Sequence, residues 1–388
     1  MTGNADLRQI ATELPGSLIR RLANANMGRS DVIPLWFGES DLATDPAIAA
    51  AAAESLGRGE TFYGPNLGLP ELRKALAEYQ QRIFATQAGF ANIAVTSSGL
   101  NALLLVLSAL VDPGDEVVVP VPAWPNLVAM PKVLSASVRE VPITLEAGRF
   151  ALPLQRLLDA CGPRTKVVIL NSPGNPTGWR LPPAEMAQLV AELDRRGIWL
   201  LADEVYSRIL PAGVAPASFV EHFDEDRRIV TVNSFSKSWA MTGWRLGWIT
   251  APRRLVEVLE RLIEFNTSCA PTFVQRAGIV ALGPVGEAFL ASQTARLDTA
   301  RLAALEVLAD EERITVPHCD GAFYLFPRIE GMDDSVALAE RAIENGVGVA
   351  PGAAFGAGGE EHLRLCFARD PAQVREAIQR LVRTVREI

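Results

Sequence analysis

The sequence has few cysteines and histidines, and their positions predict neither a disulfide framework nor a metal site. The cysteines lie far apart without a CxxC spacing, so we expect them to be small core residues in a reducing compartment. The histidines do not have the short spacings of metal ligands. The cysteines are Cys161, Cys269, Cys319 and Cys366, and the histidines are His222, His318 and His362.

Long apolar runs and an excess of positive charge are also lacking. The longest apolar run, ALLLVLSALV at 102–111, is too short to span a bilayer. The N-terminal segment MTGNADLRQIATELPGS has no apolar core of the kind that a signal peptide needs. A formal net charge of −8 argues against a nucleic-acid surface, which requires clustered lysine and arginine. We therefore expect a cytoplasmic protein with no membrane or nucleic-acid partner.

Several common catalytic motifs are missing as well. The sequence has no GxSxG nucleophile elbow and no P-loop. It also has no GxGxxG fingerprint framed by a strand and a helix. Neither a serine hydrolase nor a nucleotide-binding enzyme of those types is predicted.

The composition and the order of local patterns favour an α/β fold. Of the 388 residues, 49% are hydrophobic and 21% are charged, which is typical of a globular protein with a large core. From about residue 90, apolar strand-like segments alternate with helical patterns, which predicts a mostly parallel seven-stranded sheet with helices on both faces. The predicted strands are 93–98, 114–120, VREVPI after residue 137, 165–172, 198–206, 228–236 and 245–252.

The pattern changes after about residue 253, which indicates a second domain. Long amphipathic helices, including 286–310, are followed by a smaller α+β section and a terminal helix. We predict a large domain at 46–285 and a small domain formed by 1–45 together with 286–388.

Polar residues at the predicted strand ends are the first candidates for a site, because ligands of open α/β sheets bind beyond the carboxyl ends of the strands. Lys237 stands among serines in TVNSFSKSWAMTGWRLGW (231–248), with Arg245 one loop further on. It could be an exposed loop lysine or a lysine made nucleophilic by an enclosed site. The other strand-end candidates are Ser98, Asn171, Asp203, Tyr206 and Ser234.

Asp203 ends the apolar strand in LLADEVY, where a carboxylate needs a cation. That cation could be an arginine, or the protonated ring nitrogen of a pyridine cofactor. Tyr206 could donate to a ring oxygen, or it could be a half-buried aromatic. Arg364 alternates with apolar residues in HLRLCFA, so it either faces solvent or grips a carboxylate in the cleft.

Two loops add further candidates. In NSPGNPTG (171–178), Asn175 precedes Pro176, and this bond is a candidate for the cis form. In TSSGLNALLLVLSAL (96–110), a strand leads into a helix whose first N–H groups, at Gly99 and Leu100, suit a phosphate. A simpler explanation of the same segment is that Ser98 is the N-cap of the helix. Trp124, after a strand end, is either core or a ring that stacks on a flat cofactor.

These motifs, in their joint order, resemble the fold-type I aminotransferases that use pyridoxal 5′-phosphate (PLP), of the aspartate aminotransferase superfamily. The resemblance runs from LWFGESD (35–41) to the C-terminal helix. Each motif alone is weak, but their order is highly specific. The segments are FYGPNLGLPELR, SSGLNAL, DPGDEVVVPVPAWPN, NSPGNPTG, ADEVY, SFSKSWAMTGWRLGW and LRLCFA.

The resemblance implies a role for each matching residue. Lys237 would be the Schiff-base lysine, Asp203 the partner of the pyridine nitrogen, and Arg364 the grip on the substrate carboxylate, beside Gly38 and Asn175. Tyr206 and Asn175 would bind the ring hydroxyl oxygen, and Trp124 would stack on the ring. The residues expected at the phosphate are Ser98, Gly99, Leu100, Ser234, Ser236, Arg245 and, from the partner subunit of a homodimer, the residue Tyr63.

The implied reaction is a ping-pong transfer of an amino group from an L-amino acid to a 2-oxo acid such as 2-oxoglutarate. The segment EFNTSCAP (264–271) has no arginine for a distal carboxylate, and Leu100 stands where similar bacterial enzymes tend to have lysine. Aspartate and a broader range of donors therefore both stay open, and Trp36 and Phe37 favour larger side chains. Two alternatives are a PLP-dependent carbon–sulfur β-lyase and an aminotransferase-like ligand-binding regulator.

Overall fold

Seven strands form one central sheet in the computed structural model, which describes residues 7–387. All seven predicted strands are confirmed, with ends that differ by at most a few residues. The strands are β1 Ile93–Thr96, β2 Glu116–Val121, β3 Ser137–Pro142, β4 Thr165–Asn171, β5 Trp199–Asp203, β6 Ile229–Ser234 and β7 Gly247–Thr250.

The sheet is mostly parallel, as the sequence predicts. Its strand order is β1–β7–β6–β5–β4–β2–β3. Only β7 runs antiparallel to its two neighbours. In the register of β4 and β5, Asn171 lies opposite Asp203, and Asp203 lies opposite Val232 of β6. The polar strand ends are therefore neighbours at one edge of the sheet.

Both faces of the sheet are buried, which explains the runs of consecutive apolar residues in its inner strands. Along β4, Val168 and Leu170 belong to one hydrophobic cluster, whereas Val167 and Ile169 belong to the cluster on the other face. Successive side chains of a strand point to opposite faces, so a sheet covered on both sides needs apolar residues at every position.

Fourteen helices accompany the strands in the described part of the chain, and the predicted helices are among them. They are α1 Gln9–Glu13, α2 Leu18–Ala25, α3 Pro46–Gly57, α4 Pro70–Phe84, α5 Gly99–Leu110, α6 Pro125–Val133, α7 Leu154–Ala160, α8 Pro183–Arg195, α9 Phe235–Ser238, α10 Arg253–Glu264, α11 Thr272–Ala281, α12 Pro284–Leu308, α13 Ser335–Glu344 and α14 Pro371–Arg386. Within residues 7–387, no helix combines the length and the apolarity needed to cross a bilayer.

Short strands join the two ends of the chain. Ile33–Pro34 pairs in parallel with Val347–Gly348, so the N-terminal segment packs on the C-terminal α+β section. The remaining strands are Tyr324–Leu325 and Ala350–Pro351 on either side of Leu363–Cys366, Ile314–Thr315 with Arg328–Ile329, and Thr144–Glu146 with Arg149–Ala151. The division into domains at 45/46 and 285/286 stays a prediction, and its second boundary falls in the first turn of α12.

Candidate active site

Lys237 lies in α9, a four-residue helix that begins directly after β6. The Nζ atom donates to the backbone oxygen of Gly38 at 2.5 Å, across 199 residues of sequence. Burial lowers the pKa of Lys237 to about 8, because the ammonium form loses its hydration. A lysine with a lowered pKa supplies a neutral, nucleophilic amine near physiological pH. The reading of Lys237 as an exposed loop lysine is therefore not supported.

Asp203 ends β5 and is 2% exposed. One oxygen accepts from the backbone N–H of Val205 at 3.4 Å, and the side chain forms no ion pair within residues 7–387. Burial raises the pKa of this carboxyl to about 7, and the charge of Lys237 opposes that rise. Among residues 7–387 no arginine pairs with Asp203, so the alternative of a structural ion pair is not supported.

Tyr206 follows Asp203 by three residues, and its hydroxyl lies 2.7 Å from that of Tyr324. Tyr324 lies in GAFYLF, a segment typical of a buried strand, so no pattern in the sequence marks it as a site residue. Gly38 makes room for the pair, since a Cβ atom on residue 38 would lie 1.9 Å from Oη of Tyr324. The glycine is thus required by close approach of the chain to this tyrosine.

We expect Gly38→Ala to lower the free energy of unfolding by about 1–3 kcal/mol, because the added methyl group displaces Tyr324. Urea unfolding measures this change. The double variant Gly38→Ala/Tyr324→Phe should recover part of the loss, since it removes the nearest oxygen. Gly57→Ala is the matched control, because a Cβ atom there meets nothing within 4 Å. Equal losses at both positions would contradict the interpretation.

Arg364 points into the same region from the strand Leu363–Cys366 and is 3% exposed. Its Nη1 donates to Oδ1 of Asn175 at 3.3 Å, and its Nη2 donates to the backbone oxygen of Trp36. Its Nε has no partner among the described residues. A buried guanidinium with an open donor and no ion pair is suited to a carboxylate ligand. The solvent-facing alternative for Arg364 is therefore not supported.

The loop that carries Asn175 is held by hydrogen bonds to the strand end. The backbone N–H of Asn175 donates to Oδ1 of Asn171 at 2.8 Å, and Nδ2 of Asn171 donates to the backbone oxygen of Asp203 at 3.0 Å. The Asn175–Pro176 bond is cis, as predicted. Asn171 thus links Asn175 to the strand that carries Asp203.

The N-terminus of α5 approaches the end of β6 closely. Ser98 caps the helix, and its Oγ accepts from the N–H of Asn101 at 3.0 Å. A Cβ atom on Gly99 would lie 3.2 Å from Cβ of Ser234, and one on Gly247 would lie 2.6 Å from the N atom of Gly99. Free N–H groups and the positive end of a 12-residue helix favour an anion here.

The serines beside this helix end are connected to one another. Oγ of Ser234 donates to Oγ of Ser236 at 2.8 Å, and it accepts from the backbone N–H of Ser236 at 3.1 Å. Arg245 has a left-handed backbone with a φ of 57°, and its exposed side chain donates to the backbone oxygen of Thr242 at 2.5 Å. Hydroxyl groups and helix N–H groups are thus gathered here, while the Arg245 guanidinium is bound to its own loop.

Three other predicted residues are partly or fully exposed. Leu100 is 38% exposed at the start of α5, and Tyr63 is 90% exposed. Trp124 is half-buried and precedes α6. In the part of the chain that the structure describes, their side chains make no polar contact with Lys237 or Asp203.

Gln293 contacts the helix that carries Lys237, and nothing in the sequence predicts this. This α12 side chain is 1% exposed, and its Nε2 donates to the backbone oxygens of Lys237 at 3.1 Å and Ser238 at 3.2 Å. It therefore satisfies the last carbonyl groups of α9, which have no partner inside so short a helix. No local signal could reveal this contact, since 56 residues separate Gln293 from the lysine.

Glu204, next to Asp203, is a second buried acid, and its carboxyl group is hydrogen-bonded to other residues of the chain. It accepts from the Ser218 hydroxyl and, at 2.7 Å, from the N–H of Phe219. Burial raises its pKa to about 8 from the ordinary 4.5. Since the pKa is higher in the folded chain, the folded chain binds more protons between these values. The stability that the neutral carboxyl provides is complete below about pH 4.5 and is lost as the pH rises through about 8.

We therefore expect Glu204→Gln to become more stable relative to the wild type as the pH rises across that window, because an amide does not ionise. The difference in free energy of unfolding should grow by at most about 1.4 kcal/mol per pH unit. Urea unfolding at several pH values measures it. Glu78→Gln, at an exposed position on α4, is the control and should show no such slope. A flat difference for Glu204→Gln would contradict the raised pKa.

These groups fit an α/β enzyme that uses a pyridine cofactor bearing an aldehyde and a phosphate. The amine of Lys237 suits the aldehyde, the unpaired Asp203 carboxylate suits a protonated ring nitrogen, and the α5 N-terminus with its serines suits the phosphate. The unpartnered donor of Arg364 is left for a substrate carboxylate.

Comparison with known proteins gives the family. The family described as "Aminotransferase class I and II" matches residues 30–381. The chain is 34% identical to the aspartate aminotransferase of Pyrococcus abyssi over 375 residues, which cover 96% of each chain. It is 32% identical to the aromatic-amino-acid aminotransferase 2 of Thermococcus litoralis over 375 residues, again 96% of each. The solved structure of aspartate aminotransferase from Thermus thermophilus with maleate has a TM-score of 0.91 at 31% identity, covering 99% of this chain and 100% of that one.

The chain belongs to the class I and II aminotransferase family, and its fold is that of the fold-type I enzymes. It is a PLP-dependent aminotransferase. The resemblance stated from the sequence motifs is therefore confirmed, and the reading as a non-catalytic regulator is not favoured.

Proposed function

We propose that this enzyme transfers the amino group of an L-amino acid to a 2-oxo acid, with 2-oxoglutarate as the acceptor, by a ping-pong mechanism. Lys237 is the point at which the cofactor is attached. The observation that carries the proposal is the amine of Lys237, which has a lowered pKa and lies in one enclosure with the unpaired Asp203 and Arg364. The amine matches an aldehyde, the Asp203 carboxyl matches a protonated ring nitrogen, and the Arg364 guanidinium matches a substrate carboxylate.

PLP, when bound, supplies an aldehyde that condenses with amines and a protonated ring that accepts electrons from the substrate Cα. Asp203 holds the proton on the ring nitrogen, because a carboxylate favours the charged form of a neighbouring base. Tyr206 and Asn175 bind the ring hydroxyl oxygen, and Trp124 covers the ring. The residues that hold the phosphate are Ser98, Gly99, Leu100, Ser234, Ser236 and Arg245.

Arg364 binds the substrate α-carboxylate beside Asn175, which already accepts from its Nη1, and Gly38 and Trp124 complete the substrate side. Lys237 would act as the base that takes the proton from the substrate Cα and as the acid that returns it during amino transfer. A pKa of about 8 suits both directions of this transfer, because general acid–base groups work best near the operating pH.

The donor is aspartate or one of a broader set of amino acids. No arginine lies in EFNTSCAP (264–271), and Leu100 provides no charge for a distal carboxylate. Trp36, which is 6% exposed, and Phe37 form an edge-to-face pair next to the backbone of Gly38. These apolar groups favour donors with larger or apolar side chains over a strict requirement for aspartate.

A panel of amino donors with 2-oxoglutarate tests the proposal. We expect turnover of several donors, with parallel lines in double-reciprocal plots, as a ping-pong mechanism requires. Turnover of aspartate alone would contradict the broader range. Release of pyruvate from a sulfur-containing donor without any 2-oxo acid would show instead that the enzyme is a β-lyase.

The active form is a homodimer in which Tyr63 reaches the phosphate of the partner subunit. Tyr63 and Phe62 are 90% and 84% exposed, and Phe265 is 86% exposed. The segments that carry them are adjacent, since Nδ2 of Asn66 donates to the backbone oxygen of Ser268 at 2.9 Å. Exposed aromatic side chains grouped in this way mark an interface between proteins.

A further inference from the structure

A cavity of about 460 Å³ lies outside the enclosure of Lys237, and no residue assigned to amino transfer lines it. Its volume is in the range of small-molecule pockets, and its wall is largely apolar, as such pockets usually are. Phe150, Trp179 and Val214 form much of this wall. Trp179 lines this cavity and also borders the small void beside Asn175.

The wall of the cavity is fixed by backbone hydrogen bonds. The N–H groups of Asp320 and Gly321 both donate to the backbone oxygen of Gly178 at 3.0 Å, and the N–H of Gly174 donates to the backbone oxygen of Trp179 at 2.8 Å. When the wall of a pocket is already ordered, little of the binding free energy is lost in ordering it around a ligand. This property distinguishes it from a gap between mobile loops.

Two of the three arginines that line the cavity already form ion pairs, and the third does not. Arg149 binds Asp320 at 2.8 Å, and Arg301 binds Asp298 at 2.9 Å. Arg180 donates only to the backbone oxygen of Ala215 at 3.0 Å and has no carboxylate within 4.0 Å among residues 7–387. The Arg180 guanidinium therefore has N–H donors that are available to a ligand.

We propose that this cavity is a second small-molecule site, which binds an aromatic monocarboxylate. The carboxylate pairs with Arg180, since a planar guanidinium favours that geometry. The ring packs on Trp179 and Phe150, where aromatic surfaces gain both burial and stacking. Glu185, a lining residue without an ion-pair partner in the described chain, disfavours a second negative charge on the ligand.

Calorimetric titration of the holoenzyme with indole-3-propionate tests the proposal. Because Arg364 also attracts carboxylates, we expect two equivalents per subunit, of which Arg364→Leu removes one. Arg180→Gln should weaken the other by tenfold or more, and Val214→Trp should abolish it by filling the mouth of the cavity. The uncharged amide of the probe should also bind this site at least tenfold more weakly.

Matched controls are Arg195→Gln, an exposed arginine on α8, and Val285→Trp, a similarly exposed valine on α12. Both should leave the two equivalents unchanged, and all four surface variants should keep the turnover of the wild type. A single equivalent that Arg364→Leu removes would overturn the proposal. So would a second equivalent that persists at full affinity in both Arg180→Gln and Val214→Trp.

Discussion

Lys237→Ala is expected to lower amino transfer by about 10⁴-fold or more while the protein stays folded. The variant loses both the amine that attaches the cofactor and the base that moves the Cα proton, and general acid–base catalysis alone is worth about 10²–10⁴. The Lys237 amine donates one hydrogen bond, to the backbone oxygen of Gly38, so its removal leaves the hydrophobic clusters intact. Steady-state turnover measures the loss of amino transfer, visible absorbance measures the bound cofactor, and circular dichroism shows whether the variant is folded.

Lys166→Ala is the matched control, because Lys166 is an exposed lysine on β4 of the central sheet. It should keep the absorbance and the turnover of the wild type. Borohydride reduction followed by peptide mapping adds a chemical test, in which the cofactor should be found on the peptide that contains residue 237. A labelled Lys166 peptide, or an active Lys237→Ala enzyme, would contradict the assignment.

Asp203→Asn is expected to lower kcat/KM by about 10²–10⁴-fold, with the cofactor still bound through its other contacts. An amide is close to the carboxyl in shape, but it does not hold a proton on the ring nitrogen, so the ring withdraws electrons less strongly. Burial raises the pKa of this carboxyl to about 7, and a protonated ring nitrogen beside it would favour its ionised form. Transfer rates in single-turnover experiments separate this effect from substrate binding.

Glu204→Gln is the control for Asp203→Asn, because the adjacent acid is equally buried but its partners are Ser218 and Phe219. It should transfer amino groups at a rate close to that of the wild type. Equal losses in the two variants would mean that the Asp203 effect is one of packing. In that case the role of Asp203 at the ring nitrogen would be wrong.

The central sheet was predictable because local pattern decides it. The middle of β4 (167–170) and most of β5 (199–202) are runs of consecutive apolar residues, a pattern typical of strands covered on both faces. The order of the motifs likewise predicted the family, and the placement of Lys237 and Asp203 at neighbouring strand ends followed from parallel topology. The contacts of side chains could not be predicted in the same way. The Arg245 guanidinium, for example, donates to the backbone oxygen of Thr242, a contact that no local pattern indicates.

The sequence by itself determined the alternation of strands and helices and the mostly parallel sheet, because these depend on residues close together in the chain. It also indicated the class of chemistry, through the joint order of motifs that run from LWFGESD (35–41) to LRLCFA. Only the tertiary structure decided that Gly38 and Gln293 contact Lys237, that Tyr324 pairs with Tyr206, and that a second cavity lies behind Trp179. Those contacts join segments tens to hundreds of residues apart. No local periodicity encodes which distant side chains meet, so the assembled core alone settles them.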